Sequence, residues 1–351
     1  MEKPTFNPQI LNIALSVVVA FIFIWILIIG QDIILPFTIA IFLTFILDPV
    51  VTKLQQIKIP RSIGVLLTMV ISFVFLYLLG LLIYTNVQTF VSQWPSYEEK
   101  LVSLLEGLVS SFEKLIGQEI TVDLWKNIDW FGTFKDFSIA SSLVSGVGNF
   151  FTFFGKMLLV TVFMAFMLMG KVNLQYKITI AFKTDEAERI EEIIDEATEK
   201  LQKYIGTKFI ISIITGVISL IIFYVFGVDF ALFWAIVIFV FNFIPNIGSI
   251  IASMLPVLFS IVQFGAFGTA VWLLIALGIL QFIMGNILEP RLMGYSLDLS
   301  PMIVILSLIF WGYIWGVAGM LLSVPMLATI TIVLERFESL RFISVFLRGK
   351  V

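Results

Sequence analysis

Residues 231–264 read ALFWAIVIFVFNFIPNIGSIIASMLPVLFSIVQF. About 20 apolar residues of helix cross the hydrocarbon core of a bilayer, so this run is too long for a single crossing. Pro245, Asn246 and Gly248 interrupt it near its middle. Proline removes a backbone donor while asparagine and glycine tolerate left-handed geometry, so Pro-Asn-x-Gly is turn chemistry. Broken backbone at membrane depth survives only where it is buried in protein or lines a polar cavity. Two readings stay open for the run: a hairpin that enters and leaves by one side, or two tilted spans joined by a short extramembrane loop.

Working outward, residues 301–334 repeat the theme. Pro301 opens a second overlong run, Gly312, Gly316 and Gly319 come at close intervals, and Pro325 lies beyond them. Such small residues let helices approach closely, and they equally allow a tight re-entrant turn. Residues 10–30, 33–51, 62–84, 148–170, 209–226 and 270–287 are each long and apolar enough for one ordinary span. Composition agrees: 60% of the 351 residues are apolar and only 13% charged, with a mean hydropathy of +1.08. A soluble domain is roughly half apolar and about a quarter charged. The expected fold is therefore an all-α polytopic integral membrane protein. It has about eight membrane segments, two of them broken or re-entrant hairpins.

Two polar stretches punctuate the spans. Residues 85–147 carry four lysines and eight acids, and Leu101, Leu104, Leu105, Leu108, Phe112, Leu115 and Ile116 recur at helical spacing. This predicts an extracytoplasmic amphipathic helix lying on the membrane or on neighbouring protein. Residues 171–208 hold seven basic and eight acidic residues, with an apolar stripe of Ile190, Ile193, Ile194, Ala197, Leu201 and Tyr204. That segment predicts a charged cytoplasmic helix. Lysine and arginine asymmetry places Lys53, Lys58 and Arg61 inside, and likewise the tail with Arg336, Arg341, Arg348 and Lys350. Counting crossings then makes residues 231–264 and 301–334 hairpins and residues 270–287 the sixth full crossing. The resulting organisation runs in six parts. Residues 1–84 hold three spans, 85–147 the outer region, 148–170 a fourth span and 171–208 the inner helix. Residues 209–334 are the transport region, and 335–351 an inner tail.

The chain has no histidine and no cysteine. Zinc proteolysis of the His-Glu-x-x-His kind and Ser–His catalysis need histidine, and thiolate chemistry needs cysteine. No phosphate-cradling Walker loop is present. No cofactor, metal or catalytic residue is expected, and a net charge of −3 gives no footprint for nucleic acid. The remaining chemistry is polar groups set in apolar helices. Asn242 precedes the first turn, and Gln281 and Asn286 precede Glu289, Pro290 and Arg291, with Gly294 and Asp298 close behind. Ionisable groups near lipid are costly, so they pair or line pathways. Equally, Glu289 and Arg291 can cap helix ends in an interfacial loop.

At these residues the chain resembles a known family. FIPNIGSIIASMLPVLFSIVQFG (243–265), EPRLMGYSLDLSPMIVILSLIFWGYIWGVAGMLLSVPMLATI (289–330) and LDPVVTKLQQIKIPRSIGVLL (47–67) are similar, in order, to blocks of the autoinducer-2 exporter family. Ser249 and Ser300 depart from the family pattern. The resemblance implies a secondary transporter of the bacterial inner membrane, forming a homo-oligomer, a pentamer by that likeness. It also implies a small polar solute such as autoinducer-2 as cargo, with H+ or Na+ as a coupling ion. Carried residue by residue, it singles out Pro245, Asn246, Gly248, Glu289, Pro290, Arg291, Gly294, Pro301, Gly316, Gly319 and Pro325. Arg291 would offer forked donors to an anionic or hydroxyl-rich solute, or pair with Glu289. Export of a polar solute, Na+(Li+)/H+ antiport and a non-transporting scaffold are the competing functions.

Overall fold

The computed structural model describes residues 8–116, 150–182, 184–245, 247–293, 299–336 and 341–349. These form eleven named helices and one π-helical segment. They are α1 (Pro8–Ile29), α2 (Gln31–Gln56), α3 (Arg61–Ile116), α4 (Phe150–Ala181), α5 (Thr184–Phe226), α6 (Ala231–Phe241) and α7 (Ile247–Phe264). Then come α8 (Phe267–Ile283), the π segment Met284–Leu288, α9 (Glu289–Met293), α10 (Pro301–Arg336) and α11 (Arg341–Leu347). Among the described residues, seven helices are long and apolar enough to cross a membrane, with two shorter apolar ones beside them. The protein is an all-α polytopic membrane protein.

Its surface is inverted relative to a soluble protein. Phe21, Trp25, Phe166 and Tyr313 are each more than 60% exposed, while Ser212, Thr215, Ser219, Ser260 and Ser323 are fully buried. Lipid solvates the first group. Most of the buried hydroxyls are satisfied within their own helices, as when Thr215 donates to the Ile211 carbonyl at 2.7 Å and Thr68 to Gly64 at 2.8 Å. Back-bonding of this kind lets a polar residue sit inside a helix that water cannot reach.

The helices do not end where the lipid ends. α3 is 56 residues long, about 84 Å at the α-helical rise. The leucine-rich stretch after Tyr84 continues the third span instead of forming a separate helix lying on the membrane. Val87, Phe90 and Tyr97 from this extension pack against Phe233, Trp234 and Phe259 of α6 and α7. Pro95 lies within it without ending it. In the same way α5 carries the charged stretch straight into the fifth span, with Asp185 and Glu186 in its first turn, where the helix dipole favours acids. The acidic Glu196 pairs one turn on with Lys200 at 2.6 Å. Asp48, near the end of its span by sequence, is buried, with Arg61 at 3.8 Å. The Arg61 guanidinium donates to the Leu168 carbonyl of α4 at 2.8 Å.

Both overlong runs fold back on themselves. At the open end of the first, Gln263 Oε1 accepts from the Asp229 amide at 2.9 Å, and its Nε2 donates to the Gly227 carbonyl at 2.8 Å. The second folds across Gly316, whose φ of 62° and ψ of −143° belong to glycine alone. Ser307 on one limb donates to the Ser323 carbonyl on the other at 3.2 Å. A Cβ on Gly312 would lie 2.7 Å from Met320, and one on Gly319 would lie 2.0 Å from the Trp311 carbonyl oxygen. Here close packing and a tight turn are one device. The limbs part where Ser300 N donates to Leu347 O at 2.9 Å, and Arg348 pairs with Glu335.

Candidate functional site

The tip of the first hairpin is built by its breakers. Residues 242–245 turn through short bonds, Ile244 N to Phe241 O at 2.9 Å and Ile247 N to Pro245 O at 2.6 Å. Gly248 lets α7 restart against α6, since a Cβ there would lie 2.0 Å from the Phe241 carbonyl oxygen. The tip exposes what a regular helix would hide. The Asn242 carbonyl lies 3.4 Å from Lys208 Nζ, and Asn242 Nδ2 donates to Ser212 Oγ at 3.0 Å.

Facing the tip is the end of α8. Gln281, Phe282, Gly285, Asn286 and Glu289 present one face to a cavity of about 290 Å³, completed by Lys208, Asn242, Ile244, Pro245, Ser249 and Ile250. The π segment intervenes between Gln281 and Glu289, and the Glu289 amide donates to Met284, five residues back. Single π turns recur at functional sites, where the extra residue rotates the next stretch of helix about its axis. The side chain re-aimed in this way is Glu289, whose Oε1 lies 2.5 Å from Lys208 Nζ. Lys208 is 4% exposed along its side chain and Glu289 24%. Gln281 Nε2 reaches Ser253 Oγ of α7 at 3.2 Å, and Asn286 Nδ2 the Phe282 carbonyl at 3.2 Å.

The cavity is therefore a polar site set among apolar helices, with Gly285 and Asn286 exposed at its edge, holding one cation, one anion and several amides. Its turn supplies backbone carbonyls, as broken helices do in secondary transporters. Comparison with known proteins is consistent. The model of the AI-2E family transporter matches residues 14–339. The chain belongs to the AI-2E transporter family. A putative transport protein of Haemophilus influenzae is 33% identical over 273 residues, covering 76% of this chain and 75% of that one. A putative transport protein of Borreliella burgdorferi is 30% identical over 265 residues, 75% and 70% of the two chains. The AI-2 transport protein TqsA of Escherichia coli is 32% identical over 255 residues, 72% and 71%.

In this AI-2E family member the sequence-predicted residues divide into four groups. Asn242, Pro245, Gln281, Asn286 and Glu289 meet at the cavity, with Gly248 buttressing its turn. Gly312, Gly316 and Gly319 build the other hairpin, which Pro301 opens and whose second limb holds the buried Pro325. They do not line the cavity. Pro290 and Arg291 lie exposed on α9, also outside the cavity lining. Asn246, Gly294 and Asp298 lie outside the described residues. The ion-pair partner of Glu289 is Lys208, not Arg291.

Lys208 is the residue that sequence reasoning missed. By composition it is the last charge of the inner helix, yet it opens a stripe with Ser212, Thr215 and Ser219, all buried. Those positions recur at four, three and four residues, one face of a helix. A lysine heading a small-hydroxyl stripe on an otherwise apolar span was the available signal.

Proposed function

We infer that this family member is a secondary transporter that carries a small polar solute through the cavity between the α6–α7 turn and the end of α8. The observation that supports this most is the Lys208–Glu289 pair beside broken backbone in a bundle of apolar helices. Structural packing alone gives no reason to keep the pair, since apolar side chains in its place are often as stable or more so. Autoinducer-2 or a related signalling molecule is the proposed cargo, by analogy with the relative named for AI-2 transport. Liposomes loaded with labelled autoinducer-2 test this. Protein-dependent efflux is expected, and none under any ion gradient would exclude this cargo.

Na+(Li+)/H+ antiport is the second reading. It is favoured by Glu289, a half-buried carboxylate among amide oxygens. Everted vesicles that show no sodium-induced pH change would exclude it. We place the protein in the bacterial inner membrane as a homo-oligomer, with both termini in the cytoplasm. Lipid and neighbouring copies would then share the exposed apolar faces.

A further inference from the structure

The charges that line the cavity cancel. Among the described residues of its wall, Lys208 and Glu289 are the charged ones, while Asn242, Ser249, Gln281 and Asn286 are polar and neutral. The two charged atoms sit 2.5 Å apart. Arg291, which would tip the balance, is exposed and lines no part of the wall.

We propose that Lys208 and Glu289 form a charge filter, setting the cavity to accept uncharged, hydroxyl- or amide-rich solutes and to reject ions of either sign. Lys208 is the specificity-determining member. This rests on the reading of the cavity as the solute site.

The physical reason is compensation. A charge among apolar helices needs a partner, and each member of this pair already has one. An anionic solute would have to take Lys208 from Glu289, and a cationic solute the reverse. Either exchange leaves one member of the pair, the buried Lys208 or the half-buried Glu289, without its counter-ion. An uncharged solute leaves the pair intact and bonds to the amides, each of which both donates and accepts. The volume suits this: about 290 Å³ equals on the order of ten waters at liquid density. That is room for a short polyol. Specificity of this kind works by penalising the wrong partner more than by rewarding the right one.

The test uses the full chain in liposomes and three labelled four-carbon probes of matched size: erythritol, threonate and 1-amino-1-deoxyerythritol. Wild type should move erythritol at least about tenfold faster than either ion, a modest demand for rejecting one unit of buried charge. Lys208→Gln leaves a net negative cavity and should shift preference toward the amine by about tenfold, while Glu289→Gln should shift it toward threonate. The double variant Lys208→Gln/Glu289→Gln is neutral again and should restore the preference for erythritol. If the single variants fail to insert, the swapped Lys208→Glu/Glu289→Lys should insert and keep the neutral preference. Equal changes for all three probes in the single variants, or an ion preference in the swapped one, would overturn the filter while leaving transport standing. A wild-type protein that prefers either ion, or that moves autoinducer-2 but none of the probes, would overturn the filter alone. One that moves neither autoinducer-2 nor any probe would overturn the transport reading and the filter with it.

Discussion

At the residue scale, two close approaches and one ion pair set the energetics. Gly248 and Gly319 each face a carbonyl oxygen that a Cβ would meet at 2.0 Å, whereas nothing lies within 4 Å of a Cβ on Gly278. Gly248→Ala and Gly319→Ala should therefore each cost about 1–3 kcal/mol through overpacking, with Gly278→Ala near neutral. Thermal midpoints in one detergent check this, and equal midpoints for all three would contradict the tight turns. For the pair, removing Glu289 strands the buried Lys208 ammonium and should cost about 3–5 kcal/mol. Removing Lys208 strands a partly exposed carboxylate and should cost less, and removing both should cost much less than the first. Lys208→Met, Glu289→Gln and the double variant form a cycle whose coupling is predicted to be large, read as urea or thermal stability. Additive losses would show that the two side chains do not depend on each other. The individual residues were unevenly legible. Glycines beside prolines announce a turn wherever they stand. The partner of Glu289 is 81 positions away, and only the packing of α5 against α8 and α9 reveals it.

At the scale of elements, lipid made the spans legible and hid where helices stop. Apolar runs are forced on any chain that must satisfy its backbone without water. Charge after Tyr84 or before Phe209 marks a change of solvent, but the backbone bonds continue unchanged through both. Hence α3 and α5 each join what composition divides. The π segment was equally invisible, because no residue type demands an i→i+5 bond. Its consequence can be tested by register. The Glu289 amide already bonds to the Met284 carbonyl, so deleting Ile287, which is 38% exposed, should return Met284–Leu288 to α geometry and leave Glu289 facing Lys208. Inserting one alanine between Leu288 and Glu289 should instead rotate Glu289 by about 100° away from Lys208. The insertion variant should lose transport by about tenfold or more, since one misplaced group near a site has that scale of effect, while the deletion variant should transport. A fully active insertion variant would show that the facing of Glu289 does not matter to transport.

For the whole molecule, each hairpin has its two open ends on one side, and the two hairpins hang from opposite ends of the bundle. Residues 227, 229 and 263 meet at the base of the first, and residues 299–300 meet 347–348 at the base of the second. Trp315, beside the second tip, donates to the Leu27 carbonyl near the end of α1, at 3.1 Å. The first tip lies beside Lys208, near the middle of α5 and at the opposite end of its apolar half from Phe226. Combined with the basic α2–α3 turn and tail, the proposed orientation predicts Lys58 and Arg341 in the cytoplasm and Ala266 outside. The chain has no cysteine, so single cysteines report without any background to remove. A membrane-impermeant maleimide added to intact cells should label Ala266→Cys, while Lys58→Cys and Arg341→Cys label only in inverted vesicles. Lys58→Cys and Ala266→Cys reacting from the same side would change the parity of every crossing between them. The first hairpin would then open toward the cytoplasm, and the Lys208–Glu289 cavity would face the exterior.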